Sequence, residues 1–132
     1  KALSVIKNNV DSGIFKAIQR AGITALGCPQ DKIKELNNIY QKRRDIMVQG
    51  LKELGWDIEP TKATFYLWLP TPSGMNSSEF AQMMLEKANI IVPPGTGYGP
   101  NGEGFFRIAL TVEEERLKEA LQRMKNAGIR YN

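Results

Sequence analysis

The pattern of hydrophobic and polar positions predicts four helices in this chain. Apolar residues recur every three or four positions, a spacing that places them along one face of a helix. The stretches with this spacing are residues 13–25, 31–54, 76–89 and 111–128. The second stretch is the longest, and we expect it to end at Gly55, because glycine adopts the left-handed conformation in which many helices end.

Two of these helices begin with residue pairs typical of a capping box. Asn76 is followed three residues later by Glu79, and Thr111 is followed in the same way by Glu114. In such a box the first side chain accepts a hydrogen bond from the helix backbone, while the acidic side chain reaches back to the capping residue. We therefore expect Asn76 and Thr111 to cap the third and fourth helices.

Four short apolar runs predict β-strands, at residues 56–59, 63–69, 90–92 and 105–110. Only a short turn at residues 60–62 separates the first two, which we expect to form a hairpin. Helices that alternate with strand pairs are typical of an α+β fold. The pattern therefore predicts a small, mostly antiparallel sheet with helices packed on one face and the other face left free.

Arg107 interrupts the last apolar strand with a permanent charge. Successive side chains of a strand face opposite sides, so Phe106, Ile108 and Leu110 share the core face and Arg107 points away from it. A planar guanidinium held there can bind a carboxylate through two parallel hydrogen bonds. The alternative at this point is an arginine on a solvated strand face.

A glycine-rich loop precedes this strand, and residues 97–102 match the G-x-G-x-x-G pattern of dinucleotide-binding proteins. That fingerprint requires a helix directly after the glycines, whereas a strand is predicted here and Pro100 lies within the loop. We therefore reject dinucleotide binding and expect a tight loop in which backbones approach closely. Glu103 beside the loop is a candidate acid or base, although no second carboxylate is visibly paired with it.

Composition excludes several classes of catalysis. The 132 residues contain no histidine, which removes Ser-His-Asp and Cys-His catalysis and zinc sites with histidine ligands. Cys28 is the single cysteine, so an internal disulfide is impossible, and a lone thiol fits a reducing compartment. We therefore expect a cytoplasmic protein.

Charge and hydropathy also bear on partners. The net charge of +4 comes from basic and acidic residues that are interspersed, apart from one basic cluster at residues 42–44. Such a cluster on a helix is usually a solvated face, and no aromatic platform accompanies it, so we expect no nucleic-acid partner. No apolar run approaches the roughly 20 residues that span a bilayer, so we expect no membrane partner.

The chain opens at Lys1 with an apolar stripe that includes Ala2, Leu3 and Ile6. We expect such a stripe to pack against another protein surface. We therefore expect the sequence to begin inside a longer polypeptide.

Several segments together resemble the C-terminal part of class I, fold type I, pyridoxal-phosphate-dependent aminotransferases. Three of them are KATFYLWL at residues 62–69, ANIIVPPG at 88–95 and GFFRIAL at 104–110. NVDSG at residues 9–13 and Tyr40 with the following Arg-Arg-Asp at 43–45 resemble the subgroup that contains LL-diaminopimelate aminotransferases and aspartate-aminotransferase-like enzymes. The resemblance covers essentially the whole chain.

The resemblance implies roles for individual residues. It assigns Arg107 to the substrate α-carboxylate, places Phe65 near the substrate side of the pocket, and lets Asn9 reach the active site of the partner subunit in a homodimer. It also implies that residues 1–28 link to a large cofactor-binding domain and that residues 29–132 form the C-terminal small domain. The substrates implied are an amino acid and a 2-oxo acid.

Transamination needs a lysine that holds the cofactor and an acidic partner for its pyridine nitrogen. The family's motifs for both are missing from this sequence, so no catalytic, cofactor-binding or metal-binding residue is assigned. Pyridoxal phosphate is expected in the parent enzyme only, and this fragment alone is expected to be inactive. The alternative is a stand-alone, non-enzymatic α+β module that binds amino acids or mediates protein association.

Overall fold

A computed structural model describes residues 1–10 and 13–131, which form five helices and two strands. Their order is α1 (Ala2–Val10), α2 (Lys16–Gly27), α3 (Asp31–Glu53), β1 (Tyr66–Pro70), α4 (Ser77–Ala88), β2 (Phe105–Ala109) and α5 (Glu114–Asn126). The four predicted helices are confirmed as α2 to α5, and α1 is an additional helix. Its apolar residues were recognised in the sequence as a stripe but not as a helix.

The described residues fall into two compact units, Lys1–Lys34 and Glu35–Asn132. In the first unit, no residue of α1 or α2 is buried. The large apolar side chains of residues 1–28 are all more than half exposed. They are Leu3, Val5, Ile6, Val10, Ile14, Phe15, Ile18, Ile23 and Leu26. The role predicted for residues 1–28, as a link to a larger domain, stays a prediction.

The second unit is an α+β structure built on an antiparallel pair, β1 with β2. The register places Trp68 opposite Arg107 and Leu69 opposite Phe106. Leu67, Leu69 and Phe106 are buried on one face of this pair. They join a core that also includes residues of α3, α4 and α5. The predicted fold class, a small antiparallel sheet packed on one face by helices, is confirmed.

The predicted strand at residues 56–59, and its hairpin with the next strand, are wrong. Trp56 is buried and its indole N–H donates to the carbonyl oxygen of Pro70 at 2.9 Å. Its ring also lies edge-on to Phe80 and Phe106, with ring centroids about 6 Å apart. This segment is therefore held by the indole in the core and not by a ladder of backbone hydrogen bonds.

The predicted strand at residues 90–92 is also wrong. The chain just after it runs beside β2, where the N–H of Arg107 donates to the carbonyl oxygen of Pro93 and Pro94 forms an isolated bridge with Phe106. Two successive prolines have no N–H to donate, so a regular ladder cannot continue along this edge.

One of the two predicted helix caps is confirmed. The side chain of Asn76 accepts from the N–H of Glu79 at 2.9 Å, and the Glu79 carboxylate accepts from the N–H of Asn76. The cap predicted at Thr111 is wrong. The capping position of α5 is Glu113, which makes no side-chain capping bond, and Thr111 lies two residues too early to reach the free N–H groups of that helix.

No helix in the described ranges is long and apolar enough to cross a membrane.

Candidate carboxylate-binding site

Arg107 lies on β2, on the face of the sheet that points away from the core. Its neighbours on this face are fixed by the strand register, because residues directly opposite each other in an antiparallel pair share a face. Trp68 is directly opposite Arg107, and Tyr66 is opposite Ala109. The alternation predicted from the sequence therefore holds, since Phe106 is fully buried whereas Arg107 is half-buried.

The guanidinium of Arg107 lies between two aromatic rings. Its Cζ atom is 4.1 Å from the ring centroid of Tyr66 and 4.6 Å from that of Tyr98. A cation over the face of an aromatic ring is attracted by the ring quadrupole, and the flat guanidinium stacks well on such a face. The two rings therefore restrain the plane of the guanidinium. Its N–H donors lie in that plane, at the edge of the group, so rings over its faces do not occupy them.

Further rings support this arrangement. Trp68 stacks on Phe105 with centroids 5.7 Å apart, and it meets Tyr98 edge-on at 5.6 Å. We call Tyr66, Trp68, Tyr98 and Phe105 the aromatic cradle of Arg107. Trp68 and Tyr98 are each more than 40% exposed, so the cradle is open to a ligand from outside.

One donor of Arg107 has no partner among the described residues. Its Nε atom is buried and makes no hydrogen bond. A buried donor left unsatisfied costs about 1–3 kcal/mol. A carboxylate is the acceptor that matches an arginine fork, because its two oxygens can accept two parallel hydrogen bonds.

The glycine-rich loop delivers Tyr98 to the cradle. It forms two 3-10 turns, Gly95–Tyr98 and Pro100–Gly102. The backbones of Gly95 and Gly102 cross so closely that a Cβ atom on Gly95 would lie 1.9 Å from the carbonyl oxygen of Gly102. Strand β2 follows the loop, as predicted, and not the helix that a dinucleotide fingerprint requires.

Glu103 is engaged in structural hydrogen bonds. Its carboxylate accepts from the N–H and the hydroxyl of Ser77 at the start of α4, at 2.8 Å and 3.1 Å, and from the N–H of Gly104 at 2.9 Å. The backbone hydrogen bonds from Ser77 and Gly104 lower the pKa of Glu103. A carboxylate stabilised in its charged form is poorly suited to donate a proton near neutral pH.

The other two predicted site residues make contacts within their own units. Phe65 stacks on Tyr40 of α3 with centroids 5.4 Å apart and touches the ring of Tyr66 at 4.4 Å, so it is one ring removed from the guanidinium. Asn9 lies on α1 in the other unit, where its side-chain amide donates to the carbonyl oxygen of Val5. Their roles in substrate binding stay predictions.

The motif that surrounds Asn9 is only partly described, because residues 11 and 12 lie outside the described ranges.

The basic cluster at residues 42–44 contributes two arginines to structure. Arg43 donates to the carbonyl oxygen of Leu110 at 3.1 Å, and Arg44 donates to the carbonyl oxygen of Thr61 at 2.8 Å and pairs with Asp45. These contacts tie α3 to the residue that follows β2 and to the segment that precedes β1.

Sequence reasoning missed Tyr66 and Tyr98 as partners of Arg107. Tyr66 lies two residues before Trp68 and therefore on the same face of the strand. Its closeness to Arg107, however, depends on which strands pair, and the predicted pairing was different. Tyr98 lies in a loop that has no periodicity. The one available signal was the aromatic residue between the glycines of the G-x-G-x-x-G match.

A cavity of about 370 Å³ opens beside this region, between the segment after α4, β2 and α5. Arg107 is among its lining residues, but Tyr66 and Tyr98 are not. Its lining is mainly apolar, and two of its arginines, Arg116 and Arg123, both pair with Glu119. In the described part of the chain, no group of His, Cys, Asp or Glu residues could hold a metal ion.

Comparison with known proteins gives concordant results. Residues 2–124 match the family Aminotransferase class I and II. LL-diaminopimelate aminotransferase 2 of Nostoc sp. (strain PCC 7120) is 56% identical over 131 residues, which cover 99% of this chain and 34% of that protein. LL-diaminopimelate aminotransferase of Halothermothrix orenii is 55% identical over 131 residues, with the same two coverages.

A solved structure agrees with these relatives. An aminotransferase from Staphylococcus aureus superposes with a TM-score of 0.86 at 32% identity, covering 99% of this chain and 35% of the other. The chain thus spans about a third of the length of the proteins it matches.

Proposed function

Since this chain belongs to the class I and II aminotransferase family, we propose that it is the C-terminal part of a pyridoxal-phosphate-dependent aminotransferase. In this proposal Arg107 binds the α-carboxylate of the substrate. The single observation that carries the assignment is the guanidinium between Tyr66 and Tyr98, with its buried Nε atom unpaired within the described part of the chain.

The contribution of Arg107 to transamination is orientation. The aromatic cradle restrains the guanidinium plane before the substrate arrives, so less conformational freedom is lost when a carboxylate binds. A bidentate clamp also fixes the direction of the bond between the carboxylate carbon and Cα. Such positioning of the reacting carbon is a recognised source of rate enhancement in enzymes.

The amino donor that we propose is LL-diaminopimelate, with a 2-oxo acid as acceptor. The support is that relatives at 55–56% identity carry that amino acid in their names. Both substrates have a carboxylate next to the reacting carbon, so Arg107 can serve both halves of the reaction.

Pyridoxal phosphate supplies the electron sink of transamination when it is bound. It needs a lysine for its aldehyde and an acidic group for its pyridine nitrogen. The rings that flank the Arg107 guanidinium offer neither group. These residues therefore do not fit the cofactor by themselves, and we assign its binding to the parts of the intact enzyme that lie outside this chain.

The remaining proposals concern assembly and location. We propose that residues 1–28 link this part to the large cofactor-binding domain, and that residues 29–132 form the small domain. We also propose a homodimer in which Asn9 reaches the active site of the partner subunit. Exposed, unbridged Cys28 suits a reducing compartment, and we propose that the enzyme acts in the cytoplasm.

Replacing Arg107 by lysine in the intact enzyme tests the proposed function. Lysine keeps the charge but loses the planar fork and the stacking between two rings. We expect the variant to lose about 2–5 kcal/mol of transition-state binding, measured as the fall in kcat/KM for LL-diaminopimelate.

The matched control is Arg130→Lys, a like change at an exposed arginine, for which we expect unaltered kinetics. The purified 132-residue chain with added pyridoxal phosphate is the second control, and we expect no transamination from it. Unchanged kcat/KM in Arg107→Lys would remove the clamp assignment. Turnover by the isolated chain would contradict our view that it is incomplete as a catalyst.

A further inference from the structure

We propose that Glu103 is a positioning residue for carboxylate binding. Its carboxylate ties the glycine-rich loop to the start of α4, and the loop in turn holds Tyr98 against Arg107. The consequence for substrate binding rests on the proposed function of Arg107, whereas the effect on the position of Tyr98 does not.

The contacts of Glu103 join two segments that are far apart in sequence. Ser77, the first residue of α4, donates both its N–H and its hydroxyl to the carboxylate, across 26 residues of chain. Ser77 is fully buried, so this attachment point is fixed. The Ser77 hydroxyl also lies 3.4 Å from the hydroxyl of Thr96, inside the loop.

The carboxylate is the appropriate group at this point. The N–H groups at the start of a helix are unpaired and carry partial positive charge, which favours an anion. Asn76 and Glu79 already form the capping box of α4, and Glu103 satisfies the additional N–H of Ser77. The lowered pKa of Glu103 keeps it charged at neutral pH.

The loop transmits this attachment to Tyr98. Gly95 and Gly102 cross in close contact, and Tyr98 lies between them in sequence. The crossing leaves little room for the loop to change shape, so its position depends on how its ends are held. Glu103 follows Gly102 directly and binds the loop to α4 through two hydrogen bonds, beside the hydroxyl contact of Thr96 with Ser77.

Tyr98 is the part of the loop that touches the binding group. Its ring contacts both the Arg107 guanidinium and the edge of Trp68. It is 49% exposed, so packing alone does not fix it. Release of the loop would therefore open one side of the aromatic cradle and free the guanidinium to rotate.

The first test is spectroscopic and uses the 132-residue chain itself. The protein is labelled with 3-fluorotyrosine, and the Tyr98 signal in the fluorine NMR spectrum is assigned with Tyr98→Phe. In Glu103→Ala we expect this signal to move toward the position of free fluorotyrosine and to narrow. In Glu103→Gln we expect a smaller change, because the amide oxygen can still accept from the N–H groups of Ser77 and Gly104.

The matched control is Glu79→Ala, which removes an acidic side chain from the same helix start without a described contact to the loop. We expect the Tyr98 signal to stay in place in this variant. If Glu103→Ala fails to fold, Ser77→Ala removes the hydroxyl contacts with Glu103 and Thr96 but keeps the N–H bond to Glu103, and we expect a smaller shift in the same direction. An unmoved Tyr98 signal in the folded Glu103 and Ser77 variants, or an equal shift in Glu79→Ala, would overturn the proposal.

The second test uses the intact enzyme. We expect Glu103→Ala to raise KM for LL-diaminopimelate by about three- to tenfold, with kcat changed less than KM. The reason is that the charge-assisted hydrogen bonds from Arg107 to the substrate carboxylate are weakened at the binding step. Glu79→Ala should change neither constant. If Arg107→Lys alone has no kinetic effect, the proposed function fails while the Tyr98 result stands. If Arg107→Lys impairs the enzyme and Glu103→Ala leaves KM unchanged, the positioning role fails.

Discussion

At the scale of single residues, the surroundings of Arg107 combine three properties. The guanidinium lies over two aromatic rings, one of its donors is buried without a partner among the described residues, and the adjacent loop is held by a carboxylate. Each property restricts the arginine without neutralising it. An arginine restrained in this way, with its charge still available, is suited to bind an anionic ligand.

Thr64 is a residue with an unfavourable backbone conformation near this site. Its φ angle is +70°, in the left-handed region that β-branched residues rarely adopt. It lies directly before Phe65 and Tyr66, so this turn determines how the aromatic residues enter β1. Strain of this kind persists where the surrounding structure fixes the backbone.

We expect Thr64→Gly to leave stability unchanged or to raise it by up to about 1.5 kcal/mol. Glycine removes a left-handed penalty of about 1–2 kcal/mol and costs about 0.5–1 kcal/mol in backbone entropy. The measurement is the free energy of unfolding in urea. The control is Ala63→Gly, at a neighbouring residue without a positive φ, where we expect a loss of stability. A clear loss in Thr64→Gly would show that the threonine side chain stabilises the turn.

At the scale of elements, α4 supports the core and the site at the same time. Phe80 and Met84 on one face are fully buried, while its first residue, Ser77, binds Glu103 of the loop. The Asn76 capping box fixes where this helix begins. A change at Ser77 would therefore be felt both in folding and at the cradle.

We expect Asn76→Ala to destabilise the chain by about 0.5–2 kcal/mol, the usual cost of losing a side-chain cap. The measurement is again the free energy of unfolding in urea. Ser78→Ala, an exposed change in the first turn of the same helix, serves as the control and should have a smaller effect. Equal effects of the two variants would mean that the capping bond contributes little.

At the scale of the whole molecule, the two units differ in how their apolar residues are covered. Residues of the second unit form a buried core around Leu51, Phe80 and Phe106. The apolar residues of α1 and α2 remain exposed in the first unit. Large exposed apolar surfaces usually mark sites of association, so this unit is suited to contact another domain or a second copy of the chain.

We expect the isolated 132-residue chain to self-associate through residues 1–28. The measurement is molar mass by light scattering over a range of protein concentrations. A truncated chain of residues 29–132 is the comparison, and the double variant Ile6→Lys with Ile18→Lys places charges on α1 and α2 without shortening the chain. Both should have a lower mass than the parent. A monomeric mass of the parent chain at every concentration would contradict this expectation.

The sequence by itself determined the features that depend on neighbouring residues. Periodicity located α2 to α5, the Asn76 box marked the start of α4, and alternation placed Arg107 opposite the core face of β2. The resemblance to aminotransferases was also carried by segments that are continuous in sequence. These features follow from local geometry, since a helix face and a strand face are set by residues a few positions apart.

The tertiary structure alone decided which strands pair and what surrounds Arg107. β1 pairs with β2, whereas two prolines prevent a regular ladder at the other edge of β2 and the Trp56 indole anchors its segment to the core. The contact of Tyr66 with Arg107 follows from that pairing. The hydrogen bond that Ser77 donates to the Glu103 carboxylate joins residues that only the folded chain brings together. Such contacts depend on packing between distant segments, which periodicity within one segment does not specify.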